Sequence, residues 1–153
     1  SASKSSGGGV LLDLSHELDY IQWLLGPLKI NHKVNTKVSD LEIDSDDLLL
    51  LSCQTKSAAN VHISLNYFTR KSTRQILIDG QGISIHGNLV ENQLLITKDG
   101  KEKKFSWKDL DRNDMYIAQH IAVLNGDLSN ICSYKEGLNN LKFIEDIREI
   151  KND

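Results

Sequence analysis

Gly7-Gly8-Gly9-Val10-Leu11-Leu12-Asp13-Leu14-Ser15-His16-Glu17-Leu18-Asp19-Tyr20-Ile21-Gln22-Trp23-Leu24-Leu25-Gly26-Pro27 is the stretch whose reading decides the fold. Three glycines lead into an apolar-periodic run that stops at Gly-Pro, the pattern of a helix with a closely approached N-terminus. Helical spacing puts Leu11, Leu14, Leu18, Ile21 and Leu25 on one stripe and Asp13, His16, Glu17 and Tyr20 on another. One face is expected to pack, with Trp23 among the packing residues. The other displays a carboxylate, an imidazole and a phenol, and is the place to look for chemistry. Glu17 and Asp19 are expected on the helix surface or as capping partners of the next loop.

Beyond Pro27 the period changes from helical to alternating. A strand is expected over residues 28–38, with Ile30, His32, Val34 and Thr36 sharing a face. Residues 40–47 are acidic and read as a turn with a short extended piece, and residues 48–55 as a well-buried strand. Over residues 59–70, Val61, Ile63, Leu65 and Tyr67 alternate with Asn60, His62, Ser64 and Asn66, which predicts a sheet with one core face and one polar face. Asp79-Gly80 and Asp99-Gly100 each mark a hairpin. Six or seven strands with no helical stretch between them imply antiparallel pairing, because a parallel connection needs a crossover of roughly a dozen residues. Helices return near the end. One begins at Asp111 and Asp114 and runs to Leu124, with Tyr116 or Ile117, Ile121 and Leu124 as contacts. Another begins at the capping box Ser133-x-x-Glu136 and carries Leu138, Leu141, Ile144, Ile147 and Ile150. The fold class expected is α+β: an open, predominantly antiparallel sheet with helices packed on one face.

With 153 residues, 39% of them apolar, the chain suits one domain, residues 1–153, with a sizeable core. A formal net charge of −3 gives no electrostatic reason to expect nucleic acid or an acidic membrane as partner. No apolar run approaches the roughly 18 residues that would span a bilayer. Cys53 and Cys132 read as two reduced thiols of a cytoplasmic protein, and no spacing suggests a metal site. The first six residues read as a flexible tail or as the cut edge of a longer protein. His32, His62, His86 and His120 read as structural or surface residues, and Arg70, Lys71 and Arg74 as a solvated turn that could also receive a phosphate.

Residues 7–26 closely resemble the motif that opens the C-terminal domain of the Gfo/Idh/MocA family, named for glucose-fructose oxidoreductase, inositol dehydrogenase and rhizopine catabolism. Residues 133–150 are similar to that family's terminal helix. The resemblance implies a substrate and oligomerisation domain that follows an N-terminal Rossmann domain holding NAD or NADP, in an enzyme that oxidises or reduces sugars or polyols. The family's carboxylate and histidine match Asp13 and His16, as catalytic residues completed by a lysine from the Rossmann half. The family spacing is four residues, and here it is three. The Leu-Ser-His-Glu-Leu-Asp-Tyr variant resembles a branch associated with lipopolysaccharide and surface-glycan biosynthesis, which implies a nucleotide-linked or amino sugar.

Physical chemistry is compatible with these roles. Imidazole is an efficient base for a secondary alcohol, and a carboxylate can fix its tautomer or the sugar hydroxyls. Gly7, Gly8 and Gly9 would let substrate approach the backbone near unpaired N–H groups, and Tyr20 would line the pocket edge. Asp13 also reads as a carboxylate placed for the helix dipole. No Gly-x-Gly-x-x-Gly strand-turn-helix and no Glu-Lys-Pro stretch occurs in the chain. The Rossmann domain is therefore expected to be missing from it, no cofactor is expected on it alone, and the chain alone is expected to be inactive. Expected partners are that Rossmann domain, the sugar, and a second copy through the sheet face. The alternative reading is a non-enzymatic α+β dimerisation or sugar-binding module.

Overall fold

The structure is a computed structural model that describes residues 3–129 and 131–149. A 3-10 turn, Lys4–Ser6, precedes helices α1 (Val10–Asp13) and α2 (Ser15–Leu25). Strands β1 (Leu28–Thr36), β2 (Leu48–Thr55), β3 (Asn60–Asn66), β4 (Gln75–Gly80), β5 (Ile83–Asn88), β6 (Gln93–Lys98) and β7 (Lys101–Ser106) follow. Helices α3 (Arg112–Leu124) and α4 (Tyr134–Glu149) close the order. The α+β class and the antiparallel pairing are as expected. The strands divide between two sheets, β1-β2-β3 and β4-β5-β6-β7. The chain forms two compact units, one containing residues up to Phe68 and from Cys132 onward, the other Thr69–Ile131.

In the first unit, helices lie on one face of the three-stranded sheet. Leu49, Leu51 and Cys53 of β2 and Ile63 of β3 form one buried cluster with Val10, Leu11 and Leu18 from the opening helices and Phe143, Ile144 and Ile147 from α4. Burying each large aliphatic side chain contributes roughly 1.5–3 kcal/mol. That burial is what holds α1, since a single helical turn cannot persist on its own hydrogen bonds.

The face expected for β1 is corrected by a bulge. Ile30 pairs with Cys53 and His32 with Ser52, so Asn31 is an extra residue and the alternation flips after it. The core side of β1 is therefore Ile30, Lys33 and Asn35. Lys33 is buried as a result, and its Nζ donates to the carbonyl oxygens of Ile147 and Arg148 at the end of α4. Strand β2 is half-buried: Leu49 and Leu51 face the helices, while Leu50 is exposed on the other side.

Three expectations on the helices are also corrected. Trp23 is 68% exposed and Leu25 is exposed, because the stripe turns away from the sheet in the last turn of α2. Glu17 is buried. In α4 the buried residues are Phe143, Ile144 and Ile147, whereas Leu138 and Leu141 are exposed, which follows a 3.6-residue period better than a spacing of three. Ile150 lies outside the described residues. The Ser133–Glu136 capping box forms as read: the Ser133 N–H donates to Glu136 Oε2 at 2.7 Å and the Glu136 N–H to Ser133 Oγ at 3.3 Å. Helix α2 is tied to α4 by Gln22 Nε2 donating to Asn140 Oδ1 at 3.0 Å.

The second unit is a four-stranded meander followed by α3. Its first turn is Gln81-Gly82 rather than Asp79-Gly80, since Gly80 still pairs with Ile83 and the left-handed residue is Gly82. Asp99-Gly100 turns with both residues at positive φ, as the dipeptide predicts. Asp111 caps α3 and Asp114 completes a capping box. The expected contacts of α3 are exposed, Ile117 and Ile121 by half and Leu124 by 84%.

Candidate functional site

The opening segment is held by the acidic connection between β1 and β2. Lys4 N–H donates to Asp44 Oδ1 at 2.6 Å, so residues 4–6 are a fastened turn rather than a tail. The Val10 N–H donates to the Asp46 carbonyl at 2.9 Å and the Leu11 N–H to Asp46 Oδ2 at 3.0 Å. These are amides that the sequence left for an oxygen-rich ligand, and Asp46 takes them. It also explains Gly9, which has φ +123° and where a Cβ would sit 2.3 Å from Asp46 Oδ1. The close approach at Gly9 is thus made by Asp46. Gly8 is buried and its N–H donates to the Ser3 carbonyl, while Gly7, at φ +75°, ends the 3-10 turn.

Asp47 is fully buried and organises the same connection. Its carboxylate accepts from the N–H groups of Val38 (2.8 Å) and Ser39 (3.0 Å) and from the Ser39 hydroxyl, with Lys37 Nζ at 3.5 Å. Burial alone would raise its pKa, but the Ser39 hydroxyl, the two amides and Lys37 together hold it down at about 2. The Asp47 carbonyl accepts the Tyr67 N–H at 3.1 Å. Consecutive residues therefore hold α1 on one side and the end of β3 on the other.

Those two anchors bring together Asp13 and Tyr67. The Tyr67 hydroxyl donates to Asp13 Oδ2 at 2.6 Å. Burial first, and then the Asp13 carboxylate, push the phenol pKa well above its ordinary range, so Tyr67 remains a donor at any physiological pH. Sequence reading placed Tyr67 on the core side of β3 without giving it a role. The available signal was a phenol at the end of that apolar alternation, since a partly buried tyrosine hydroxyl needs a polar partner.

The helix expected to run unbroken from Val10 is interrupted at Leu14, which has φ −103° and ψ 22°. Asp13 thus ends α1 and His16 is the second residue of α2, and both are exposed. His16 Nε2 lies 3.1 Å from Glu17 Oε1, with the His side chain 57% exposed and the Glu side chain 9%. A neutral ring bonded this way carries its proton on Nε2 and presents Nδ1 as acceptor. Tyr20 is half-buried one turn further on. Chemically, the segment offers an oriented carboxylate and an oriented imidazole at the surface.

The remaining titratable residues gather no second centre. Cys53 is buried and its thiol is pushed up to about 11 by burial; Cys132 is exposed, 3.9 Å from Asp19 Oδ1. His32, His62 and His120 are exposed, as are Arg70, Lys71 and Arg74. Among the described residues no three His, Cys, Asp or Glu side chains are placed to hold a metal ion. No described helix is long and apolar enough to cross a membrane.

The opening, glycine-led segment of an antiparallel α+β layer thus carries an exposed carboxylate and an exposed histidine. Residues 2–150 match the oxidoreductase family C-terminal alpha/beta domain, and the chain belongs to that family, Gfo/Idh/MocA. The fold is similar to that of UDP-N-acetylglucosamine 3-dehydrogenase from Acidithiobacillus ferrooxidans, at 20% identity and TM-score 0.72 over 91% of this chain and 46% of that one. It is similar to a 3-ketoreductase from Actinomadura kijaniata in complex with TDP-benzene and NADP, at 16% identity and TM-score 0.68 over 92% and 47%. The WlbA dehydrogenase from Bordetella pertussis, in complex with NADH and UDP-GlcNAcA, is similar at 19% identity and TM-score 0.64 over 92% and 42%. The chain spans less than half the length of each. No curated protein sequence matches it.

A nicotinamide dinucleotide does not fit the residues present. All the strand pairs described are antiparallel, so no strand-helix-strand crossover offers a glycine turn to a pyrophosphate.

Proposed function

We propose that this chain is the substrate-side half of an NAD(P)-dependent sugar or polyol oxidoreductase, with a Rossmann domain supplied by preceding sequence, and that it is inactive without that half. What carries the reading is the exposure of Asp13 and His16 at the facing ends of α1 and α2, each with its own hydrogen-bonding partner. His16 Nδ1 takes or returns the proton of the reacting hydroxyl, and Asp13 orients the sugar. Gly7 and Tyr20 line the approach, Gly8 is buried behind it, and Gly9 keeps Asp46 in place beneath it. The substrate class is a nucleotide-linked sugar of surface-glycan biosynthesis. The similarity in fold to a UDP-N-acetylglucosamine 3-dehydrogenase and to a dehydrogenase holding UDP-GlcNAcA supports that class. The intact protein works in the cytoplasm, where the dinucleotide is, and pairs with a second copy through the exposed sheet face that carries Leu50, His62 and Ser64.

The test is to supply the intact protein with NAD⁺ or NADP⁺ and a panel of UDP-sugars, free sugars and inositols, and to follow nicotinamide absorbance. Reduction with UDP-sugars is the expected result. Its absence with every sugar and polyol would overturn the reading.

A further inference from the structure

We propose that Tyr67 is a positioning residue for Asp13: its hydroxyl sets the direction in which the Asp13 carboxylate is presented to substrate. The inference rests on the role given to Asp13 in the proposed reaction. Asp13 is the last residue of a four-residue helix and is exposed, so its carboxylate takes its direction from hydrogen-bonding partners rather than from packing. Tyr67 is one such partner, held on another element. A phenol has only two side-chain torsions, and its O–H reaches Asp13 Oδ2 at 2.6 Å. The main chains on both sides of this hydrogen bond are anchored to adjacent residues of the acidic connection. Asp46 holds the amides of Val10 and Leu11, three and two residues before Asp13, and the Asp47 carbonyl holds the Tyr67 amide. The Asp47 carboxylate is in turn clamped by Val38, Ser39 and Lys37, so the anchors share one rigid base. A carboxylate in a sugar site needs such support, since small misplacement of a positioning group costs turnover steeply.

Tyr67→Phe keeps the ring and removes the hydroxyl. In the intact protein, with UDP-N-acetylglucosamine and NAD⁺ as probes, Tyr67→Phe is expected to lower kcat by roughly ten- to a hundred-fold, the range of one charge-assisted hydrogen bond. KM for the sugar should hardly move, and on an Asp13→Asn background the same change should cost nothing further. Parental kcat in Tyr67→Phe, beside an impaired Asp13→Asn, would overturn the positioning role and leave the proposed reaction standing. An unimpaired Asp13→Asn would overturn the reading of Asp13, and this inference with it. A measurement independent of turnover is the Tyr67 Cζ resonance of tyrosine-labelled intact protein. It should shift on Asp13→Asn, and no response would also overturn the proposal.

Discussion

At the scale of single residues, the opening segment separates residues that face solvent from those that brace it. His16 projects from the first turn of α2 with its ring tied to Glu17. Removing it should scarcely disturb packing. His16→Ala in the intact protein is expected to lower kcat by roughly 10²–10⁴-fold, the usual worth of a general acid or base, while the thermal midpoint stays near the parental value. Steady-state kinetics beside a thermal melt checks this, and unchanged turnover would remove His16 from the mechanism. Gly9 is the opposite case. A side chain there meets both a left-handed backbone, φ +123°, and the Asp46 carboxylate that binds the Leu11 amide. Gly9→Ala is expected to destabilise the protein by about 1–3 kcal/mol, read as a lower denaturant midpoint.

At the scale of elements, the acidic connection is the least anticipated feature. The acidic residues 40–47 read in sequence as a turn with a short extended piece. In the fold, Asp44, Asp46 and Asp47 each accept backbone amides from segments distant in sequence or from the turn itself. Asp47 makes this a pH-dependent element. Its pKa of about 2 in the folded chain lies below the ordinary carboxylate value near 4, so its contribution is complete above about pH 4 and is lost as pH falls toward 2. Asp47→Asn is expected to lower stability by roughly 1–3 kcal/mol at neutral pH, because an amide offers one accepting oxygen where two are used. The variant should also lose less stability than the parent between about pH 4 and 2, and parallel loss in acid melts would count against this assignment. At the far end, Ser133→Ala removes a capping box from α4 and should cost about 1 kcal/mol, measured by the same melts.

At the scale of the whole molecule, the two units carry different burdens. The first holds the core, the acidic clamp and the Asp13–Tyr67–His16 surface, and the second is a meander with an amphipathic helix whose apolar stripe is left exposed. Among the described residues every strand pair is antiparallel, so none forms the strand-helix-strand turn that holds a dinucleotide pyrophosphate. Isothermal titration of this chain alone with NADH or NADPH is accordingly expected to show no binding tighter than the millimolar range, on the order of 4 kcal/mol of binding free energy. Micromolar affinity would overturn the division of labour proposed here.

Much of this was legible in the residues themselves. Local periodicity and turn chemistry are short-range properties, so the helices, the Asp99-Gly100 hairpin, the Ser133–Glu136 capping box and the alternation of β3 could be read directly. The opening motif placed the candidate site, and the family match to residues 2–150 agrees with the resemblance it carried. Only the tertiary structure decided the rest. The bulge at Asn31 that buries Lys33, the partition of strands between two sheets, Asp46 beneath Gly9 and Tyr67 against Asp13 all depend on contacts between residues far apart in the chain. A sequence window reports which side chains could pack or pair, and the folded backbone determines which of them come within a hydrogen bond of each other.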